Sequence, residues 1–181
     1  MKPKALTIGP VTLGGARPAF ILGPCVIESP AFVRRMGGRI AKVCAAEDLP
    51  FIFKGSYDKA NRTSVRSFRG VGVREGCALL GEIGREIGMP VTTDVHSPNE
   101  AEIAAEFIDV LQIPAFLCRQ TDLIRAAAET GRVVNVKKGQ FLAPWDVRNI
   151  AEKLEAFGAR KFFFTERGTT FGYNNLVADM R

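Results

Sequence analysis

Polar and cationic side chains recur in this sequence at one kind of place, the C-terminal end of a short apolar run. Residues 51–53 lead into Lys54. The run 91–95 carries Asp94 and leads to His96. Residues 109–113 hold Gln112 and meet Pro114, 133–136 lead to Lys137 and Lys138, and 162–165 lead to Glu166 and Arg167. The first run, 19–22, ends in Gly23-Pro24-Cys25. Side chains alternate along a strand. Ile52, Lys54 and Ser56 therefore share a face, as do Thr92, Asp94 and His96, then Asn135 and Lys137, then Phe163, Thr165 and Arg167. If these faces line one cavity, Lys54, Lys137 and Arg167 converge there, and converging cations suit a phosphate or carboxylate. The plainer alternative is three solvated lysine and arginine side chains. Their recurrence on three separate strands weighs against it, because burying such charges is costly unless an anion compensates.

The elements that would position these residues follow from hydrophobic spacing. The short runs read as buried strands. Between them apolar residues recur every three or four positions, the helical period: Phe32, Val33, Met36, Ile40 and Val43; Leu79, Leu80, Ile83 and Ile87; Ala101, Ala104 and Ala105; Leu123, Ile124, Ala127 and Ala128; Val147, Ile150, Ala151, Leu154 and Phe157. Gly88-Met89-Pro90, Gly131 and Gly158 mark helix ends, while Ser29-Pro30, Ser97-Pro98 and Ala143-Pro144 mark helix starts. Strand alternating with helix predicts a parallel α/β architecture, with sites at the C-terminal strand ends. Leu6 to Leu13, around Gly9-Pro10, predicts a small hairpin. No linker divides the chain, so residues 1–181 read as a single domain.

The chain has 181 residues and a formal net charge of +6. A basic balance favours anionic partners. The cations are spread along the chain rather than clustered, which argues against nucleic acid and for small phosphorylated metabolites. No apolar run approaches the ~20 residues of a membrane span. Cys25, Cys44, Cys77 and Cys118 form no disulfide framework, so a reducing, cytoplasmic setting is expected.

The densest chemistry lies in Phe53-Lys54-Gly55-Ser56-Tyr57-Asp58-Lys59-Ala60-Asn61-Arg62-Thr63-Ser64 and Ser67-Phe68-Arg69-Gly70. Thr93-Asp94-Val95-His96 follows, then Gln112-Ile113-Pro114-Ala115-Phe116-Leu117-Cys118-Arg119-Gln120-Thr121-Asp122. Asn135-Val136-Lys137-Lys138-Gly139-Gln140-Phe141, Thr165-Glu166-Arg167-Gly168 and Phe171-Gly172-Tyr173-Asn174-Asn175-Leu176-Val177 complete the series. In order and register these resemble the motifs of the 3-deoxy-D-manno-octulosonate 8-phosphate synthase family, from about Ile21 to Arg181. The resemblance implies a (β/α)8 TIM barrel and the condensation of phosphoenolpyruvate with D-arabinose 5-phosphate, a transferase reaction of lipopolysaccharide precursor synthesis. It implies a phosphoenolpyruvate site of Lys54, Ser56, Lys59, Gln112, Lys137 and Arg167, with Lys54, Lys59, Lys137 and Arg167 carrying the catalysis. The arabinose phosphate site would use Asn61, Arg62, Ser64 and Asp94. The equivalent of Arg62 reaches a neighbouring subunit's site in that family, which implies a homotetramer. Thr63 stands where Ser is common and keeps the hydroxyl.

Cys25 resembles the position that is Cys in metal-dependent members of the family and Asn in the others. The implied cofactor is a divalent metal ion with Cys25 as one ligand. A buried Cys serving as a small hydrophobe is the alternative at any such position, and it is the one expected for Cys44 and Cys77. His96, the only histidine, is not expected to be a ligand. A whole barrel takes about 250 residues. Six of eight strand–helix units are legible, with Asp179-Met180-Arg181 early in a sixth helix, and the family's other metal ligands would follow Arg181. The expectation is that these 181 residues alone turn over weakly or not at all. Two rival readings remain. One is the related 3-deoxy-heptulosonate phosphate synthase, which uses erythrose 4-phosphate; Lys59-Ala60-Asn61-Arg62 argues against it. The other is an inactive phosphate-binding fragment.

Overall fold

The alternation of short apolar runs and helical stretches is realised as successive β–α units. The structure, a computed structural model, describes residues 5–178; the expected start of a sixth helix at 179–181 lies outside them. The chain divides into two units, Met1–Asp94 with Glu106–Val110, and Val95–Ala105 with Leu111–Arg181.

The first unit begins with the small hairpin the sequence predicts, an antiparallel pair of β1 (Leu6–Ile8) and β2 (Val11–Leu13) in which Leu6 lies opposite Leu13 and Ile8 opposite Val11. Then come β3 (Phe20–Leu22), α1 (Pro30–Ala46), β4 (Phe51–Lys54), α2 (Val73–Ile87) and β5 (Val91–Asp94). The strands are parallel, with Leu22 opposite Phe53 and Lys54 opposite Thr92. Ser29 caps α1: its hydroxyl accepts from the Phe32 amide at 3.2 Å, and Pro30 fills the first turn. Gly88 ends α2 in the left-handed conformation. Phe51, Ile52, Phe53, Leu80 and Ile83 are buried and belong to the core of this unit. One detail of the predicted α1 stripe is corrected. Val43 is 61% exposed and Cys44 is buried in its place, because the helical period carries the buried face from Val33 through Gly37 to Cys44.

The second unit holds α3 (Pro98–Ala105), most of β6 (Val110–Ile113), α4 (Thr121–Glu129), β7 (Val133–Lys137), α5 (Val147–Ala156) and β8 (Phe162–Thr165). Its strands follow the order β6-β7-β8, and β7 pairs parallel to β8 with Lys137 opposite Thr165. Helix α4 packs between α3 and α5. Ala143-Pro144 opens a 3-10 turn at Pro144–Asp146 before α5, rather than the α-helix itself. The sequence reading also missed a short antiparallel pair, β9 (Thr169–Thr170) with β10 (Leu176–Val177).

The fold is thus α/β. Strands β3 to β8 and five intervening helices, among the described residues, match the strand–helix repeat of a TIM barrel over part of its length. No described helix is long and apolar enough to cross a membrane.

Candidate functional site

In the first unit, β4 and β5 end side by side and set Lys54 against Asp94. The Lys54 ammonium donates to Asp94 Oδ2 at 2.9 Å and to Ser56 Oγ at 3.0 Å. The Ser56 hydroxyl donates to the same carboxylate oxygen at 2.8 Å, and Lys59 Nζ donates to Ser56 Oγ at 3.0 Å. Ser56 is fully buried and Asp94 is 7% exposed. Two ammonium groups thus meet on one hydroxyl beside one carboxylate, an arrangement that suits a further anion. Gly23 allows β3 to close on this point, since a Cβ there would lie 1.8 Å from the Lys54 carbonyl oxygen.

Between Tyr57 and Val71 the chain leaves as a loop pinned at its base. Val71 N donates to Tyr57 O at 2.9 Å, Lys59 N donates to Arg69 O at 2.7 Å, and Arg69 grips Asp58 with two guanidinium nitrogens. Asn61, Arg62 and Ser64 ride on the exposed part of this loop. Within it Arg62 N donates to Lys59 O, and Ser64 Oγ accepts from Arg66 N. Of the residues expected to bind arabinose phosphate, Asp94 is drawn to Lys54 and Ser56, while the other three are carried on the loop.

The second unit presents a polar chain of its own strands. The Thr165 hydroxyl donates to Asn135 Oδ1 at 2.9 Å, and Asn135 Nδ2 donates to Gln112 Oε1 at 3.0 Å. Gln112 and Asn135 are buried, so β6, β7 and β8 share one satisfied amide network. Lys137 ends β7 partly buried, and Arg167 is exposed just beyond β8. The sequence reading placed Lys138 at the end of this strand but gave it no role, and the structure buries it at 2% exposed. The available signal was strand alternation itself, which turns adjacent lysines to opposite faces.

His96 meets Glu100, with Nδ1 3.2 Å from Oε2 and its backbone N–H donating to the same oxygen at 2.9 Å. Its contacts tie down the entry to α3. Cys25 is exposed at the C-terminal end of β3, whereas Cys44, Cys77 and Cys118 are buried and all four thiols are free. Burial pushes the Cys44 and Cys118 thiols above their ordinary range, so less of each is the reactive thiolate. Brief treatment of the native protein with iodoacetamide is expected to give one adduct per chain, at Cys25. Peptide mass mapping that found Cys118 modified first would contradict this burial pattern. Among the described residues no group of three or more His, Cys, Asp or Glu is placed to hold a metal ion. Cys25 supplies one donor, and the described residues do not complete a metal centre around it.

Comparison with known proteins adds to this geometry. The chain is 56% identical over 179 residues to the 2-dehydro-3-deoxyphosphooctonate aldolase of Pelobacter propionicus, covering 98% of this chain and 66% of that protein. The proteins of the same name from Geobacter sp. and Cyanothece sp. are 54% and 55% identical, over 98% and 94% of this chain and 66% and 63% of theirs. The chain therefore spans about 66% of the length of the first of these relatives. A match to the DAHP synthetase I family runs through residues 4–181, taking in the Lys54 cluster and the Gln112–Asn135–Thr165 network alike, and the chain belongs to that family.

Proposed function

We propose that the protein condenses phosphoenolpyruvate with D-arabinose 5-phosphate and water, giving 3-deoxy-D-manno-octulosonate 8-phosphate and phosphate. The observation that carries this reading is the pair of ammonium groups, Lys54 and Lys59, on Ser56 beside Asp94. The names of relatives 53–56% identical support it. In this reaction the enol carbon of phosphoenolpyruvate attacks the sugar aldehyde. Water adds to the neighbouring carbon, and phosphate leaves with C–O cleavage. The protein's work is to hold two anions in register and to stabilise developing charge. Lys54, Lys59, Lys137 and Arg167 are assigned to the phosphate and carboxylate of phosphoenolpyruvate, with Ser56 and Gln112 as neutral hydrogen-bonding partners. Asn61, Arg62, Ser64 and Asp94 are assigned to arabinose phosphate.

The family's name favours weighing the heptulosonate synthase reading. Lys59-Ala60-Asn61-Arg62 and the relatives' names favour the octulosonate product. Cys25 is proposed as a divalent-metal ligand on its motif alone, and no chemical step is assigned to a metal. A homotetramer is proposed from Arg62. The exposed Phe116, Phe141 and Trp145 of the second unit are apolar surface that a subunit contact would cover. A cytoplasmic location is proposed from the four free thiols.

Calorimetric titration with phosphoenolpyruvate, followed by arabinose 5-phosphate or erythrose 4-phosphate, tests the reading. Binding of phosphoenolpyruvate, then at least tenfold tighter binding of the five-carbon sugar phosphate, is expected. No phosphoenolpyruvate binding would remove the proposal, and a preference for erythrose 4-phosphate would replace it with the heptulosonate reaction.

A further inference from the structure

Two lysines stand side by side at the end of β7, and their surroundings differ. Lys137 closes the strand partly buried, on the face it shares with Asn135. Lys138 turns the other way and is 2% exposed. Its ammonium donates to Gly139 O at 3.1 Å, Leu142 O at 3.1 Å and Gly168 O at 2.9 Å. An ammonium has three donors, so carbonyl oxygens occupy all of them. Glu166 Oε1 lies 3.4 Å away as the counter-charge. Lys138 therefore has no donor left for a substrate, and burying it would be costly without these acceptors.

The acceptors lie on two different loops. Gly139 and Leu142 follow β7; Gly168 follows β8. The same two loops are joined by backbone bonds from Lys138 N to Thr165 O at 2.9 Å and from Thr170 N to Gln140 O at 3.0 Å. Glu166 Oε1 in turn accepts from the backbone amides of Arg167, at 3.0 Å, and Gly168, at 2.6 Å. Gly168 is buried with a φ of 80°. The backbone of Arg167 is thus held from both sides, by the carboxylate that takes its N–H and by the lysine that takes the next residue's carbonyl.

We propose that Lys138 is a positioning residue for anion binding. Through Gly168 and Glu166 it fixes the turn that carries Arg167, and through Gly139 and Leu142 it fixes the loop that follows Lys137. The division of labour between the two lysines is then complete, with Lys137 facing the ligand and Lys138 holding the frame. This inference rests on the assignment of Arg167 to phosphoenolpyruvate.

The test is a mutant cycle read as phosphoenolpyruvate affinity by calorimetry, with folding followed by circular dichroism. Lys138→Met keeps the unbranched shape and most of the length of the side chain and removes the donors. It is expected to weaken binding at least tenfold in the parent protein, and less than twofold in an Arg167→Lys background, where the positioned guanidinium is already gone. Equal losses in both backgrounds would mean a general structural role and would overturn the inference, as would an unchanged affinity in the parent. Should Lys138→Met fail to fold, Glu166→Gln carries the test from the exposed side of the same network. It is expected to weaken binding at least threefold in the parent and not measurably in the Arg167→Lys background, and unchanged affinity in the parent overturns the inference. A parent protein that does not bind phosphoenolpyruvate removes the underlying assignment and this inference with it, an outcome distinct from either of these.

Discussion

Lys54→Met is expected to weaken phosphoenolpyruvate binding by about two orders of magnitude and to destabilise the free protein as well. The two effects have one origin. Lys54 Nζ sits 2.9 Å from Asp94 Oδ2, and both side chains are largely buried, 18% and 9% exposed. Removing one member of such a buried pair takes the Lys54 counter-charge away from the Asp94 carboxylate, and breaking a buried pair costs roughly 3–5 kcal/mol. Ser56 still donates to Asp94, so the lower end of that range is the expectation here. A hydrogen bond to an ionised group contributes about 1.5–3 kcal/mol, and about 1.4 kcal/mol is tenfold in affinity. Losing the Lys54 ammonium from the phosphoenolpyruvate site then weakens binding by about 100-fold. Urea unfolding gives the first number and calorimetric titration the second. Normal affinity in a destabilised variant would mean that Lys54 serves only to neutralise Asp94. Normal stability with weak binding would mean that the ion pair adds little to the folded state.

The same pair shows what the sequence could and could not tell. Lys54 and Asp94 both stood out as polar residues at the ends of apolar runs, and strand alternation put Ser56 and Lys54 on one face. Which strands lie side by side is not written in either run. The contact between Lys54 and Asp94 depends on β4 and β5 being parallel neighbours with Lys54 opposite Thr92. The hairpin, strand and helix positions were legible because each follows from local spacing and from Pro, Ser or Gly punctuation. The failures arose mostly where tertiary contacts decide. Val43 fits an apolar stripe by type, yet Cys44 and Gly37 hold the buried positions because small side chains let α1 approach its neighbours; a Cβ on Gly37 would meet Ile83 at 2.8 Å. The short β9–β10 pair lacks a run long enough to show a period. Lys138 was seen at its strand end but given no role, because burial of a lysine depends on carbonyl acceptors supplied by Leu142 and Gly168. Those acceptors carry no residue-type signature. The resemblance supplied roles for residues, whereas the hydrogen bonds among them came from the fold.

Glycine offers the other large effect, and it is expected in opposite directions at two positions. At Gly23, where β3 ends against β4, a Cβ would lie 1.8 Å from the Lys54 carbonyl oxygen and 2.7 Å from its carbon. Both of those atoms are backbone, so no side-chain rotation relieves the contact. The φ of 155° at this residue adds to the difficulty. Gly23→Ala must therefore push β3 away from the end of β4. The expected result is a loss of at least about 3 kcal/mol, in the range reserved for strained or overpacked sites, with phosphoenolpyruvate binding reduced because Lys54 moves with its backbone. Gly38, exposed on α1, has nothing within 4 Å of an added Cβ. There the substitution removes the entropy cost of a helical glycine, and Gly38→Ala is expected to stabilise the protein by about 0.5–1 kcal/mol with no change in binding. Urea unfolding of the two variants beside the parent measures both. Gly23→Ala at parental stability would show that β3 does not press on Lys54, and would remove the close approach as the reason that a glycine precedes Pro24 and Cys25.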